Sequence, residues 1–291
     1  MTSTGGDFYL SITPVKSSEI PPEETIIKLG HELIESTTSW KQGKSFQKNT
    51  VKTSSRPKGP SDGAPWHCRV SEHTAEDATF DEFWSKLGHN KAENEMQYIP
   101  EIKKVKLVKQ LSPTSSIWTL YYTFPPPVSP RIFTVVQVTH LEETSPKTGI
   151  IVSIPVDLSD DAELAKLEEK GVRGRYVSVE RLKELDNGKV EWRMATSSTP
   201  GGSIPKFIAE GSMDSTISKD VTHFLHWLHA TKAKSETAPA PAPNDAAAPH
   251  SVATAEHHPG TDELDPNFLA EEPGPGGGAT GVGGAGGVRA L

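Results

Sequence analysis

Four sets of residues in this chain have types and spacings that could do chemistry. The first lies in EWRMATSSTPGGSIPKF, residues 191–207, where Gly201 and Gly202 precede Ser203, Ile204, Pro205 and Lys206. Glycine-rich turns at helix starts often cradle phosphates. A phosphate loop, however, needs Gly-Lys-Ser/Thr entering a helix inside a parallel α/β unit. Here Ser203 suits an N-cap and Pro205 a first helical turn, so Gly201, Gly202 and Pro205 read as a hinge between a strand and a helix. The second set, His223, His226 and His229, has i, i+3 spacing, but successive steps of about 300° spread the three around the helix. With no Cys or further His tied to them, partly exposed histidines are the simpler reading, and no metal site is assigned. The third set is Arg131 and Arg193 with the acids Glu180 and Glu191. An inward arginine needs a carboxylate or a ligand headgroup, because an unpaired buried charge is costly. A structural ion pair, with Glu180 or Glu191, or an outward-facing arginine is the simpler reading, and a ligand contact is the alternative. The fourth is Cys68 in WHCRVS. Period-two alternation puts it with Trp66 and Val70 on one face, as a small buried apolar residue rather than a nucleophile. No Ser/His/Asp arrangement, HExxH pair or paired carboxylates stand out at a candidate site mouth, so no catalytic residue and no cofactor are assigned and a non-catalytic role is expected.

The elements that position these residues follow from periodicity. EETIIKLGHELIESTTSW, residues 23–40, carries Ile26, Leu29, Leu33 and Thr37 on one helical stripe, with Ile27 and Ile34 beside it. Residues 41–58 follow as a basic stretch without an acid, expected as a solvated loop with transient contact to an anionic membrane as the functional alternative. After the WHCRVS strand, Thr74 with Asp77 resembles a capping box that opens a helix over 74–88, and a short second helix is expected over 91–98. Six strands follow at 103–111, 116–124, 131–140, 149–156, 175–185 and 189–197, the last two joined by Asn187-Gly188, a strong hairpin signal. Between the fourth and fifth of these lies the acidic insert DLSDDAELAKLEEKGVRG, a short capped helix read as a lid. The segment 204–229 closes the order with a long helix bearing a broad apolar face, interrupted or bent near Gly211. Consecutive strands with short connections must be antiparallel, and one curved sheet gripping one long helix is the economical solution. The strand residues read as facing that helix are Trp118, Leu120, Tyr122, Ile132, Val136, Val177, Val179, Trp192 and Met194. They oppose Phe207, Ile208, Ile217, Val221 and Phe224.

Composition bounds the rest. Over 291 residues the charged fraction is 23% and the hydrophobic fraction 34%, low enough to imply a disordered portion. Residues 231–291, rich in Pro, Ala and Gly, hold eight acids against three bases, and most of the formal net charge of −8 resides there. Within them DELDPNFLAEEP is an apolar island in acidic surroundings and a potential docking motif. The remaining folded region is too weakly charged to bind nucleic acid generally. A single cysteine forbids an intrachain disulfide and points to a reducing compartment. No run approaches a membrane span, and a cytoplasmic, monomeric protein is expected. The domain plan is a partly disordered segment at 1–22, a folded domain at 23–230 with its core at 66–229, and a disordered acidic tail at 231–291.

This order resembles the helix-grip fold of START and Bet v 1-like domains. WHCRVSEHTAEDATFDEFWSKLG, YIPEIKKVKLVKQL, WTLYYTFPPPVSPRIFTV, VSIPV, RGRYVSVERLKEL, EWRMATSSTPGGSIPKF and ISKDVTHFLHWL are similar to a START-like family, found mainly in fungi, catalogued as domain of unknown function 3074. The resemblance implies an α+β helix-grip fold, with a curved seven-stranded antiparallel sheet around a long C-terminal helix and an extra N-terminal helix. It also implies that the folded domain at 23–230 binds a ligand, in a cavity for a hydrophobic small molecule, a lipid or sterol, between sheet and helix. The alternatives are an adaptor with a filled core and a START-like cyclase or hydrolase.

Overall fold

Alternating strands with short turns assemble one large sheet, and both of its faces carry apolar residues that need cover. The computed structural model describes residues 8–126, 128–202 and 206–237. In chain order they form β1 (Val15–Lys16), α1 (Glu23–Ser36), β2 (Lys41–Phe46), β3 (Val51–Arg56), β4 (Trp66–His73), α2 (Phe80–Leu87) and α3 (Lys91–Tyr98). Next come β5 (Ile102–Ser112), β6 (Ser115–Tyr122), β7 (Arg131–Glu142), β8 (Thr148–Asp157), α4 (Ala162–Ala165), β9 (Val172–Arg173), β10 (Arg175–Glu184), β11 (Val190–Thr199) and α5 (Lys206–Thr237). The sheet runs β2-β3-β4-β11-β10-β8-β7-β6-β5 with every neighbouring pair antiparallel, while the two-residue strands β1 and β9 add parallel to β8 and β7.

The seven expected strands are all present, and the sheet is larger than expected. Residues 41–58 are not a loop: 41–46 and 51–56 form a hairpin that extends the sheet beyond β4. Its sequences, KQGKSF and VKTSSR, lack apolar alternation because β2 is an edge strand with nearly every residue exposed. Backbone pairing and a tip of left-handed residues, Gln47, Lys48 and Asn49 (φ 51°, 56° and 71°), make the hairpin where side-chain pattern is silent.

Three further expectations shift. Helix α2 opens at Phe80 rather than at Thr74. Thr79 and Glu82 make the reciprocal cap, Glu82 N–H donating to Thr79 Oγ1 (3.3 Å) and Thr79 N–H to Glu82 Oε2 (2.8 Å). The Thr74–Asp77 pair closes only the preceding turn. Helix α5 runs unbroken from Lys206 to Thr237, past the expected boundary at 230, because a glycine costs a helix interior only about 1 kcal/mol. The segment 1–22 contributes β1, anchored by Lys16 Nζ on Asp157 Oδ2 (2.6 Å) and by Ser17 and Ser18 on the Asp160 carboxylate. The apolar island of the tail, residues 262–273, lies outside the described residues.

Two cores result. On the outer face α1 packs Ile26 and Ile34 against Ile150, Val152, Val177, Val179 and Val136, with Trp66 and Cys68 in the same layer. Gly30 lets the helix approach closely: a Cβ there would stand 2.6 Å from Val152 Cγ2. On the inner face α2, α3 and α5 pack on Trp118, Leu120, Tyr122, Phe133, Leu182 and Trp192. Phe224 of α5 is the hub, stacked on Phe83 at 5.3 Å and edge-on to Trp192 at 5.1 Å and Tyr98 at 5.5 Å. Nearer its start, α5 is held by Asp214, whose carboxylate meets His67 Nδ1 at 2.7 Å and Thr53 Oγ1 at 3.3 Å. Among the described residues no helix is long and apolar enough to cross a membrane.

Candidate functional site

Between α3, α5 and the inner face of β4, β10 and β11, a cavity of about 50 Å³ remains beside the aromatic packing. Its apolar walls are Ile99, Trp192, Met194 and Ile217. Most of its other walls are ionisable: Arg69, Lys91, Glu95, Glu180 and Asp220, with the phenols of Tyr98, Tyr122 and Tyr176. Strand alternation explains the placement. On β10, Tyr176, Ser178 and Glu180 point inward while Val177 and Val179 point to α1. On β11, Trp192, Met194 and Thr196 do the same, and β4 contributes Arg69.

The charges form a connected set. Glu180 Oε1 lies 2.9 Å from Lys91 Nζ, its Oε2 accepts from Trp192 Nε1 at 3.0 Å, and Arg69 Nη2 stands 3.9 Å from the same oxygen. Lys91 also pairs with Glu95 one turn along α3. The Arg69 guanidinium lies over the Trp192 ring with 4.0 Å to its centre. Burial opposes charge on Lys91, but Glu180 and then Glu95 hold its pKa well above the ordinary lysine value. Burial likewise opposes charge on Glu180, and Lys91 with Arg69 keeps its pKa below the carboxylate norm. Glu95 is pushed up, chiefly by burial. Burial also raises the Tyr98 and Tyr176 phenols.

Trp192, Met194, Tyr122, Ile217 and Glu180, named from the sequence, stand at this cavity, while Trp118, Leu120, Val221 and Phe224 fill the inner core beside it. The inward assignment of Ile132, Val136, Val177 and Val179 is corrected. Val136, Val177 and Val179 pack under α1, and Ile132 borders a small outer groove with Pro14, Pro155 and Arg173. A sheet covered on both faces has no polar side to orient an alternation, so these β-branched positions look the same from either side.

Arg193 and Glu191 are also on the outer face. There they pair with each other at 2.8 Å and join Arg181 and Thr37. Arg131 is buried, its guanidinium donating to the carbonyls of Pro200 (2.9 Å) and Ser129, and burial lowers its pKa. Gly201 and Gly202 are left-handed (φ 64° and 63°), and a Cβ on Gly201 would meet the Arg173 carbonyl oxygen at 2.3 Å, so glycine is required at that turn. The Pro205 hinge position, and the side chains of Phe207 and Ile208, lie outside the described residues. The acidic insert is not a lid on this cavity. Leu164, Ala165 and Leu167 pack toward the outer core, and no insert residue lines the pocket. His229 donates from Nε2 to the Asp77 carbonyl at 2.6 Å, and among the described residues no three His, Cys, Asp or Glu side chains gather as metal ligands.

Arg69, Lys91, Glu95, Tyr98, Tyr176 and Asp220 escaped the sequence reading. The signal for the first was present in WHCRVS, where Arg69 alternates with the buried Cys68 in a strand that is covered on both faces. A second arrangement also went unseen. Ser71 Oγ lies 2.8 Å from His73 Nε2, and His73 Nδ1 lies 3.6 Å from Asp77 Oδ2. Both Ser71 and His73 are buried, burial lowers the His73 pKa, and neither residue lines the pocket, so a substrate has no approach to this hydroxyl through that cavity.

A family model described as protein of unknown function (DUF3074) matches residues 66–228. The chain belongs to that family. The fold is START-like. The chain is similar in structure to human STARD10 (TM-score 0.60, 11% identity, 75% of this chain and 84% of that one). It is likewise similar to human StAR-related lipid transfer protein 5 (TM-score 0.56, 15% identity, 74% and 96%). A third is the human StarD13 (DLC2) lipid transfer and protein localization domain (TM-score 0.51, 14% identity, 72% and 98%). No curated protein sequence matches the chain.

Proposed function

We propose that this DUF3074 protein binds an amphipathic small molecule, with the polar end in the cavity under α5 and the apolar portion between the sheet and the first half of that helix. The observation that supports it best is a cluster of buried charged and phenolic side chains gathered around open space inside an otherwise close-packed inner core. Buried polar groups are costly unless satisfied, and such a cluster is retained where orientation of a ligand repays it. The adjoining layer, Met194, Met213 and Ile217, is a separate small cluster. Flexible thioether side chains repack around a guest more readily than the ring stack behind them. This matters because about 50 Å³ holds only a few waters, and a lipid tail requires α5 and the methionines to yield.

The role is that of a carrier rather than an enzyme, acting in the cytoplasm as a monomer. The exposed Lys41, Lys44 and Lys48 of the β2–β3 hairpin offer a contact for an anionic membrane during exchange. A second reading is favoured by the ring packing around Phe224: an interaction module whose inner core is simply filled. Native mass spectrometry of the full chain purified from a eukaryotic host, before and after denaturing extraction, separates the two. A one-to-one small-molecule adduct is expected. A bare mass that persists after incubation with mixed liposomes overturns the carrier reading in favour of the filled module.

A further inference from the structure

One residue on the wall of that cavity has hydrogen-bonding capacity that is visibly unspent. Arg69 is 2% exposed, yet its Nε and Nη1 have no hydrogen-bond partner among the described residues, and its side chain lines the cavity. Its nearest carboxylate oxygen, Glu180 Oε2, is at 3.9 Å and already accepts from Trp192, while the other oxygen is taken by Lys91. Glu95, the second acid beside Lys91, is paired there as well. The internal ion pairs therefore leave one guanidinium edge over, held rigid by its stacking on Trp192. A desolvated guanidinium in this state demands an acceptor.

Charge decides which kind. On the cavity wall the two cationic residues, Arg69 and Lys91, already face two acids, Glu95 and Glu180. A carboxylate or phosphate on the ligand would add a further negative charge beside these acids in a poorly solvated space, where charge costs most. A hydroxyl or carbonyl oxygen meets the Arg69 donors without that cost. It also suits a space of a few waters.

We propose, resting on the ligand-binding reading above, that Arg69 is the anchor of the site and that its ligands are amphipaths ending in an uncharged acceptor, an alcohol, ketone or ester, rather than a free acid or phosphate. Met194, Met213 and Ile217 receive the hydrocarbon that adjoins the anchored oxygen.

The test uses the full chain and two probes with the same tail, 1-hexadecanol and hexadecanoate, each delivered from cyclodextrin at pH 7.5 and read by native mass spectrometry. The alcohol is expected to bind about tenfold or more tightly than the carboxylate. Arg69→Lys, which keeps the charge but removes the planar donor edge, is expected to weaken alcohol binding about tenfold while leaving carboxylate binding weak. Equal or preferential binding of hexadecanoate overturns the proposal, as does an Arg69→Lys protein that holds hexadecanol as the parent does. Should the Arg69 variant fail to fold, the ranking of the two probes on the parent protein still decides. A co-purified ligand with an anionic head sinks this proposal and leaves the carrier reading standing. Failure of both probes, with no co-purified adduct, sinks both.

Discussion

At the scale of single residues, Lys91 is the point on which the inner charges balance. It is buried and pairs with Glu95 and Glu180 together, so removing it strands two acids, one of which also orients Trp192 and faces Arg69. Loss of one member of a buried ion pair typically costs about 3–5 kcal/mol. Lys91→Met is accordingly expected to destabilise the fold by that order, read as a lower denaturation midpoint in urea. Changing Glu180 to Gln in the same chain should recover part of the loss, since less charge is then left unpaired. A chain in which Lys91→Met unfolds at the parent midpoint would mean that these groups are solvated and the set is not an inner cluster. None of this was legible in KAENEMQY, where Lys91 and Glu95 look like an ordinary i, i+4 surface pair. Burial by α5, far along the chain, turns a surface pattern into a core one.

At the scale of elements, the outer face depends on how closely α1 lies on the sheet. Gly30 has no room for a side chain against the stiff, β-branched Val152 and the nearby Ile150. Gly30→Ala would improve helix propensity by up to about 1 kcal/mol, but overpacking of this kind costs about 1–3 kcal/mol. A net loss of stability is expected, with Gly30→Leu worse again, and calorimetric melting temperatures would rank the three proteins. Helix α1 itself was readable from its stripe, and so were the strands that are β-branched or joined by Asn187-Gly188, because local periodicity and turn chemistry report local structure. The β2–β3 hairpin was not readable. Its residues are polar on nearly every position, and only pairing with β4 makes them strand. Thr79 and Glu82 show a subtler failure: two cap-like pairs stood five residues apart, and the pair with Glu three positions on is the one that closes reciprocally.

At the scale of the whole molecule, the N-terminal segment and the acidic insert are sewn to one another by carboxylates. The hydrogen bond from Lys16, then those from Ser159, bring the Asp157 pKa down to about 2, and Ser18 with Ser17 depresses Asp160 as well. A carboxylate whose folded pKa lies below its unfolded value near 3.9 contributes stability above that value and loses it as pH falls through the folded one. The tether of β1 to β8 should therefore hold above about pH 4 and weaken between about pH 4 and pH 2. Hydrogen exchange at Val15–Lys16 and at 157–160 is expected to quicken in that window. In Asp157→Asn the same amides should be fast already at pH 6; protection that is indifferent to both changes would remove the carboxylates from the tether.

The sequence by itself determined that this is an antiparallel sheet with a long C-terminal helix, an N-terminal helix and a close turn at Gly201-Gly202. Those features follow from period-two and period-3.6 patterns, from short connections and from glycine stereochemistry, all of them local. Which face of each strand meets α5 was decided only in three dimensions. With helices on both sides of the sheet, Val177 and Glu180 are buried alike, and alternation alone has no solvent to refer to. The site followed from that decision. Arg69, Lys91 and Glu180 come from β4, α3 and β10, and only the closing of α5 over the inner face takes them out of water together and makes their charges matter to one another.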